Sequence, residues 1–239
     1  MERRSDDMAS MSKALHPAAL LLGLLFILSS SVSATLSHNL VFTIPHDDSA
    51  FTQGLEIQNG RMFETTGLYG HSQLREISME DGSLIRSYDL NETFFGEGLT
   101  IINDRILVLT WKAGLILEFD RDTFNLSTQY NLEGEGWGMC SFEDRIIVSD
   151  GTNQLSILDP LTLETVGSIE VTSNDSDIWN LNELECVGDK IYANQWLSPF
   201  IHVISANGGA LISTLDLSTL PSGTSGDRNE VLNGIAWDE

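Results

Sequence analysis

The chain has 239 residues, with 12 Lys and Arg against 35 Asp and Glu and a formal net charge of −23. That balance leaves nothing to neutralise a phosphate backbone, which excludes a basic nucleic-acid binder. Apolar content of 41% with 20 glycines suits a globular chain of one large or two small domains. So acidic a surface repels anionic membranes and favours cationic partners, such as peptides with a free amino terminus.

The first element in chain order is a leader. Arg3, Arg4 and Lys13 precede the apolar run from Ala18 to Leu28, and small residues follow, ending Val32-Ser33-Ala34. The pattern predicts a secretory signal over residues 1–34, with an uncleaved type II anchor as the alternative. Three glycosylation sequons, at Asn91, Asn125 and Asn174, agree with a secretory-pathway location in the ER/Golgi lumen, vacuole or extracellular space. The mature domain is then residues 35–239.

That domain is repetitive. Phe51-Thr52-Gln53-Gly54-Leu55-Glu56 aligns with Phe95-Gly96-Glu97-Gly98-Leu99-Thr100 and with Glu135-Gly136-Trp137-Gly138-Met139-Cys140. Leu181-Asn182-Glu183-Leu184-Glu185-Cys186 and Leu232-Asn233-Gly234-Ile235-Ala236-Trp237 continue the series. In this register Gln53, Glu97, Trp137, Glu183 and Gly234 correspond, at spacings of 44, 40, 46 and 51 residues. Second strands are predicted at Arg61–Glu64, Arg105–Val108, Arg145–Val148 and Lys190–Ala193. Third strands follow at Gln73–Ile77, Leu115–Phe119, Gln154–Leu158 and Phe200–Ile204. Outer strands read Leu84–Leu90, Thr128–Leu132, Thr165–Val171 and Leu211–Leu217, separated by turns such as Asp81-Gly82 and Asn207-Gly208-Gly209.

Four strands at a period near 45 residues mark a β-propeller blade. The expected fold is all-β: a five-bladed β-propeller whose fifth blade is incomplete at the C-terminus. That blade has only an innermost strand, Val231–Asp238, and Asn39–Pro45 is expected to serve as its outermost one. The expectation is of a chain lacking two middle strands, that is, a C-terminally truncated propeller.

Inner strands line a propeller's channel, so the aligned motifs converge at one mouth. The convergent set holds Phe51, Gln53, Phe95, Glu97, Trp137, Asn182 and Glu183, with Trp111 and Trp196 just after second strands. A carboxylate among aromatics is desolvated, which lifts its proton affinity into a range useful for proton transfer.

Phe51-Thr52-Gln53-Gly54-Leu55, Glu64-Thr65-Thr66-Gly67-Leu68-Tyr69-Gly70 and Phe95-Gly96-Glu97-Gly98-Leu99-Thr100 closely resemble the plant-type glutaminyl cyclases. So do Gly136-Trp137-Gly138, Ser149-Asp150-Gly151-Thr152, Leu181-Asn182-Glu183-Leu184-Glu185, Ala193-Asn194-Gln195-Trp196 and Val231–Asp238. The resemblance implies a glutaminyl-peptide cyclotransferase, closing N-terminal glutamine of peptides and proteins into pyroglutamate with release of ammonia and without cofactor. It implies Glu97 as the catalytic acid/base and Phe51, Phe95, Trp111, Trp137 and Trp196 as aromatic walls. Gln53 and Asn182 would hydrogen-bond the substrate amide or N-terminus. The family continues with further strands, including a Gly-Lys-Leu-Trp segment whose lysine lines the active site, and this chain has no counterpart of it.

The alternative is a non-catalytic truncated propeller that binds peptide N-termini. A third reading uses Glu183 and Glu185, two apart on one strand face, to hold a hard cation in a propeller hydrolase, although no dense Asp, Asn or His set accompanies them. The expectation is no metal. His16, His38, His46, His71 and His202 show no ligand spacing. Cys140 and Cys186 occupy the same repeat position in neighbouring blades, which allows a disulfide in an oxidising lumen. The expectation is buried free thiols, because inner strands of neighbouring blades diverge and a disulfide demands close Cα approach. A closed ring predicts a monomer.

Overall fold

The computed structural model describes residues 34–174, 176–220 and 231–238; the leader, Ala34 apart, lies outside them. The first strand, β1, spans Ala34–Leu36. Four antiparallel sheets follow, each made of four strands consecutive in the chain. Blade one is β2 (Thr52–Gln58), β3 (Arg61–Thr66), β4 (Gln73–Ile77) and β5 (Leu84–Asp89). Blade two is β6 (Gly96–Ile102), β7 (Arg105–Thr110), β8 (Leu115–Asp120) and β9 (Leu126–Asn131). Blade three is β10 (Met139–Ser141), β11 (Ile146–Val148), β12 (Gln154–Leu158) and β13 (Thr165–Glu170). After the small hairpin β14 (Thr172–Ser173) and β15 (Ser176–Asp177) comes blade four: β16 (Leu181–Val187), β17 (Lys190–Gln195), β18 (Phe200–Ser205) and β19 (Leu211–Asp216). The arrangement is propeller-like, with β2 packed on β6, β6 on β10 and β10 on β16.

The side-chain period of two explains why the second strands β7 and β11 are almost wholly apolar. On β7, Ile106 and Val108 join Phe63, Leu74 and Leu99 in a core shared with blade one. Leu107 and Leu109 turn the other way, into a core with Met139, Ile146 and Val148 of blade three. A strand buried on both faces between two blades has no solvent side to make polar. The outer strands do: in β9, only Leu126 and Tyr130 are half-buried and the rest is exposed.

Each long inner strand carries a bulge at the same point. The β2–β3 pairing steps from Thr52↔Thr66 to Gly54↔Thr65, leaving Gln53 extra. The β6–β7 register jumps from Gly96 to Leu99, and the β16–β17 register from Leu181 to Leu184. A bulge re-aims one side chain without ending the strand. The bulges correct the expected repeat register on blade four, and the fifth motif shifts with it: Asn182, not Glu183, and Asn233, not Gly234, correspond to Gln53, Glu97 and Trp137. Glu183 instead takes the next position, held by Gly54, Gly98, Gly138 and Gly234 elsewhere.

Those glycines exist because the blades meet there backbone to backbone. A Cβ on Gly98 would lie 2.6 Å from Met139 N and 2.7 Å from Gly138 Cα; one on Gly54 would lie 2.5 Å from Leu99 N. At blade four the position faces the wider gap toward blade one, and the Glu183 side chain fills it. Its Oε2 accepts the Ile235 N–H at 2.8 Å and its Oε1 the Leu55 N–H at 3.5 Å.

Three expectations differ from the structure. Residues 39–45 form no strand; Leu40, Val41 and Phe42 are exposed. Instead β1 adds in parallel to β19 as a fifth strand of blade four, and the chain between is tied to blade one by His46, 2.8 Å from Glu64, and Asp47, 2.8 Å from Arg75. The segment at 231–238 lies in the inner position between β16 and β2 but makes no ladder, holding on through side chains. Finally, Cys140 and Cys186 are joined in a disulfide, with Cα atoms 5.4 Å apart. The inner strands do not diverge where Gly138 lets blade three touch the backbone of Asn182 and Glu183.

Candidate active site

The loops entering the inner strands and leaving the second strands meet at one mouth of the channel. Here a cavity of about 340 Å³ is lined by Phe51, Gln53, Phe95, Glu97, Trp111, Trp137, Asn182 and Trp196. These are the eight side chains to which the family resemblance gives a role; Glu183, also expected in the convergent set, is not among them. Leu68, Val231 and Asn233 complete the wall. The bulge residues Gln53, Glu97 and Asn182 and their repeat equivalents Trp137 and Asn233 thus all reach one space, as a common position on successive inner segments must.

The aromatic residues fall into two groups. Phe95 packs edge-on against Phe51 (6.3 Å between ring centroids), Tyr69 (5.5 Å) and Trp111 (5.5 Å). Across the cavity Trp137 and Trp196 meet edge to face at 5.8 Å. Second-strand ends alternate large and small to make room: Trp111 and Trp196 at blades two and four, Gly67 and Gly151 at blades one and three. A Cβ on Gly151 would meet the Trp137 ring at 2.7 Å, and one on Gly67 would run into Phe95.

Glu97 is 6% exposed, and its carboxyl accepts no hydrogen bond from the described residues. Burial pushes its proton affinity well above the usual carboxylate range, and the charge of Glu135 adds to the effect. That direction favours the protonated form, the one suited to donating a proton.

The polar side is a directed chain of amides. Asn182 Nδ2 donates to Asn233 Oδ1 at 3.2 Å, and Asn233 Nδ2 donates to Gln53 Oε1 at 3.1 Å and to the Thr52 carbonyl at 3.2 Å. With its carbonyl occupied, Gln53 presents N–H donors to the cavity; with its N–H₂ occupied, Asn182 presents a carbonyl acceptor. One wall therefore offers a donor, an acceptor and a buried carboxyl around an aromatic slot.

A family model for glutamine cyclotransferases matches residues 18–239. The chain is 36% identical to the glutaminyl-peptide cyclotransferase of Arabidopsis thaliana over 241 residues, spanning 93% of this chain and 75% of that protein. This chain belongs to the glutamine cyclotransferase family. A solved glutaminyl cyclase from Myxococcus xanthus agrees, with a TM-score of 0.81 at 30% identity over 87% of this chain and 89% of that one.

Two residues of this cyclotransferase site escaped the sequence reading. Asn233 sat in a recognised motif, and the corrected repeat register, which sets both it and Asn182 level with Gln53 and Glu97, would have placed it in the cavity. Glu135 lies two residues before Trp137, as Phe51 and Phe95 lie two before Gln53 and Glu97. That offset marks a wall position. Glu183 and Glu185, considered for a cation, do not converge. Glu183 is spent on backbone N–H groups, while Glu185 faces the opposite mouth of the channel beside Cys186 and Trp237.

Proposed function

We propose that this chain converts the N-terminal glutamine of peptides and proteins to pyroglutamate, releasing ammonia. The observation that carries the reading is Glu97, a buried carboxyl without a protein partner among the described residues, set in an aromatic slot between an amide donor and an amide acceptor. The substrate's α-amine attacks its own side-chain amide carbon, so the protein supplies no nucleophile. An α-amino group with a pKa of about 8 is neutral often enough at physiological pH to attack.

The aromatic walls hold the glutaminyl side chain folded back, replacing an entropic cost by preorganisation. Asn182 Oδ1 accepts an N–H of the attacking amine. The Gln53 N–H₂ stabilises the oxyanion as the carbonyl becomes tetrahedral. Glu97 gives its proton to the departing nitrogen, which leaves as ammonia, and the resulting carboxylate takes the proton from the new ring nitrogen. The proton count closes and Glu97 returns protonated.

The same reading takes the ring as five-bladed, supported by five equivalent inner positions of which residues 231–238 occupy the fifth. It places the chain in the secretory pathway, with glycans on Asn91, Asn125 and Asn174. All three asparagines are exposed, and the disulfide suits an oxidising compartment. The test is ammonia release from a Gln-initiated peptide by the full chain and its Glu97→Gln variant. Turnover by the parent with a loss of about 10²–10⁴ in kcat for the variant is expected; a parent without turnover points to the peptide-binding propeller instead.

A further inference from the structure

Glu135 touches no part of the cavity surface, yet it joins the cavity's two halves. Its Oε2 accepts the indole N–H of Trp111 at 2.7 Å and that of Trp137 at 3.1 Å. Trp111 belongs to the Phe51–Phe95 group and Trp137 pairs with Trp196, so one oxygen ties the aromatic wall of blades one and two to that of blades three and four. On the solvent side, Lys112 Nζ stands 3.8 Å from the other oxygen and 3.9 Å over the Trp111 ring. The indole bonds of Trp137 and Trp111, with Lys112, hold the carboxyl below its usual range, so it is ionised and purely an acceptor.

From this geometry we infer that Glu135 is a positioning residue of the cyclotransferase, setting the separation of the Trp111 and Trp137 indoles and with it the width of the slot in which the glutaminyl side chain folds back. The inference rests on the activity proposed above. The competing view is that Glu135 is an exposed partner of Lys112, and such surface pairs contribute little. Two features argue against it. The bonds to the indoles are shorter than the contact to Lys112. The position also belongs to the wall series Phe51, Phe95, Glu135 in the repeat, where blade three replaces an aromatic by a carboxylate that commands two aromatics. An error of about 1 Å in such a slot can cost on the order of 100-fold in rate.

A second consequence separates positioning from packing. Among the described residues, Glu135 is the charged group that bears on Glu97; the other polar groups facing it across the cavity, Gln53, Asn182 and Asn233, are neutral amides. Removing the Glu135 charge lowers the proton affinity of Glu97, so the pH limb that does not move with the substrate's amine shifts to lower pH.

The experiment compares Glu135→Ala, Glu135→Gln and, as a nearby control outside the bridge, Glu133→Gln, with a Gln-initiated peptide. Glu135→Ala should lose about 10- to 100-fold in kcat/KM. Glu135→Gln, whose carbonyl can still accept an indole N–H, should recover most of that at its own optimum but show the Glu97 limb displaced to lower pH; Glu133→Gln should do neither. In ¹⁵N-labelled protein the Trp111 and Trp137 indole N–H resonances should move upfield in Glu135→Ala, whether or not the protein turns over. Indole resonances unmoved in Glu135→Ala, or kcat/KM unchanged in an active protein, would overturn the inference. A parent with no turnover removes the cyclase reading alone, since the resonances still decide the bridge. If Glu135→Ala does not fold, Glu135→Gln decides through its pH limb and indole shifts.

Discussion

Ile235 donates its backbone N–H to Glu183 Oε2 at 2.8 Å, across the gap between blade four and blade one. Ile235 is the repeat equivalent of Leu55, whose N–H meets the other oxygen of the same carboxyl. One side chain at a position reserved elsewhere for glycine thus caps two equivalent inner-strand amides. It stands in for the backbone-to-backbone contact that joins the other blades.

This makes Glu183 a closure residue. Glu183→Ala leaves two inner-strand N–H groups without an acceptor, each costing about 1–3 kcal/mol when buried. A lower urea midpoint at unchanged m-value is expected, with Glu183→Gln intermediate. Equal midpoints for Glu183→Ala and the parent would show that the contact between blades four and one does not depend on this carboxyl.

Protonation should stabilise the far mouth of the channel. Burial pushes the Glu185 carboxyl up to about 7, and burial also pushes up Glu56 and Glu183, each with the Glu185 charge adding. A raised carboxyl binds more protons folded than unfolded, so its contribution is fully present below about 4.5 and is lost as pH rises toward 7. Thermal melts from pH 4.5 to 7 should fall faster for the parent than for Glu185→Gln; parallel curves would contradict the assignment.

The Cys140–Cys186 bond closes a 46-residue separation, worth up to about 4 kcal/mol in the chain-entropy model. Reductant should therefore lower the melting temperature of the parent and leave a Cys140→Ser/Cys186→Ser double variant unaffected. Measured side by side, identical responses would mean that the two thiols are not paired.

Gly67 has no left-handed backbone, so a substitution there reports contact alone. Its missing Cβ makes room for the Phe95 ring, 2.5 Å from Cζ. Gly67→Ala must push that ring into the slot, and KM for a Gln-initiated peptide should rise severalfold while the melting temperature stays close to the parent's. Steady-state kinetics with one peptide decide it.

The repeat pattern alone was enough to place every strand of blades one to four within a few residues, because apolar period-two runs cut by turn residues encode strands locally. The two strands expected of the fifth blade, at 39–45 and 231–238, do not form. The pattern also located eight of the eleven cavity residues, since positions that are equivalent in a propeller repeat are forced toward one axis. The expected register missed that Asn182 rather than Glu183 is the bulge residue, although the sequence carried the better alignment, which stacks Leu55, Leu99, Met139, Leu184 and Ile235 with glycine before four of them. The ladder register made it plain.

Other features lay beyond any local reading. The disulfide depends on how closely Gly138 lets blades three and four approach, the displacement of Asn39–Pro45 from a sheet on which partner strand is nearby, and the Glu135 bridge on two indoles from different blades. Sequence by itself determined the strands, their grouping and the chemical make-up of the mouth, because these follow from local periodicity repeated along the chain. Tertiary structure decided which oxygen meets which indole or amide, and so which carboxylates are buried, because distances between blades are set by packing across residues remote in sequence.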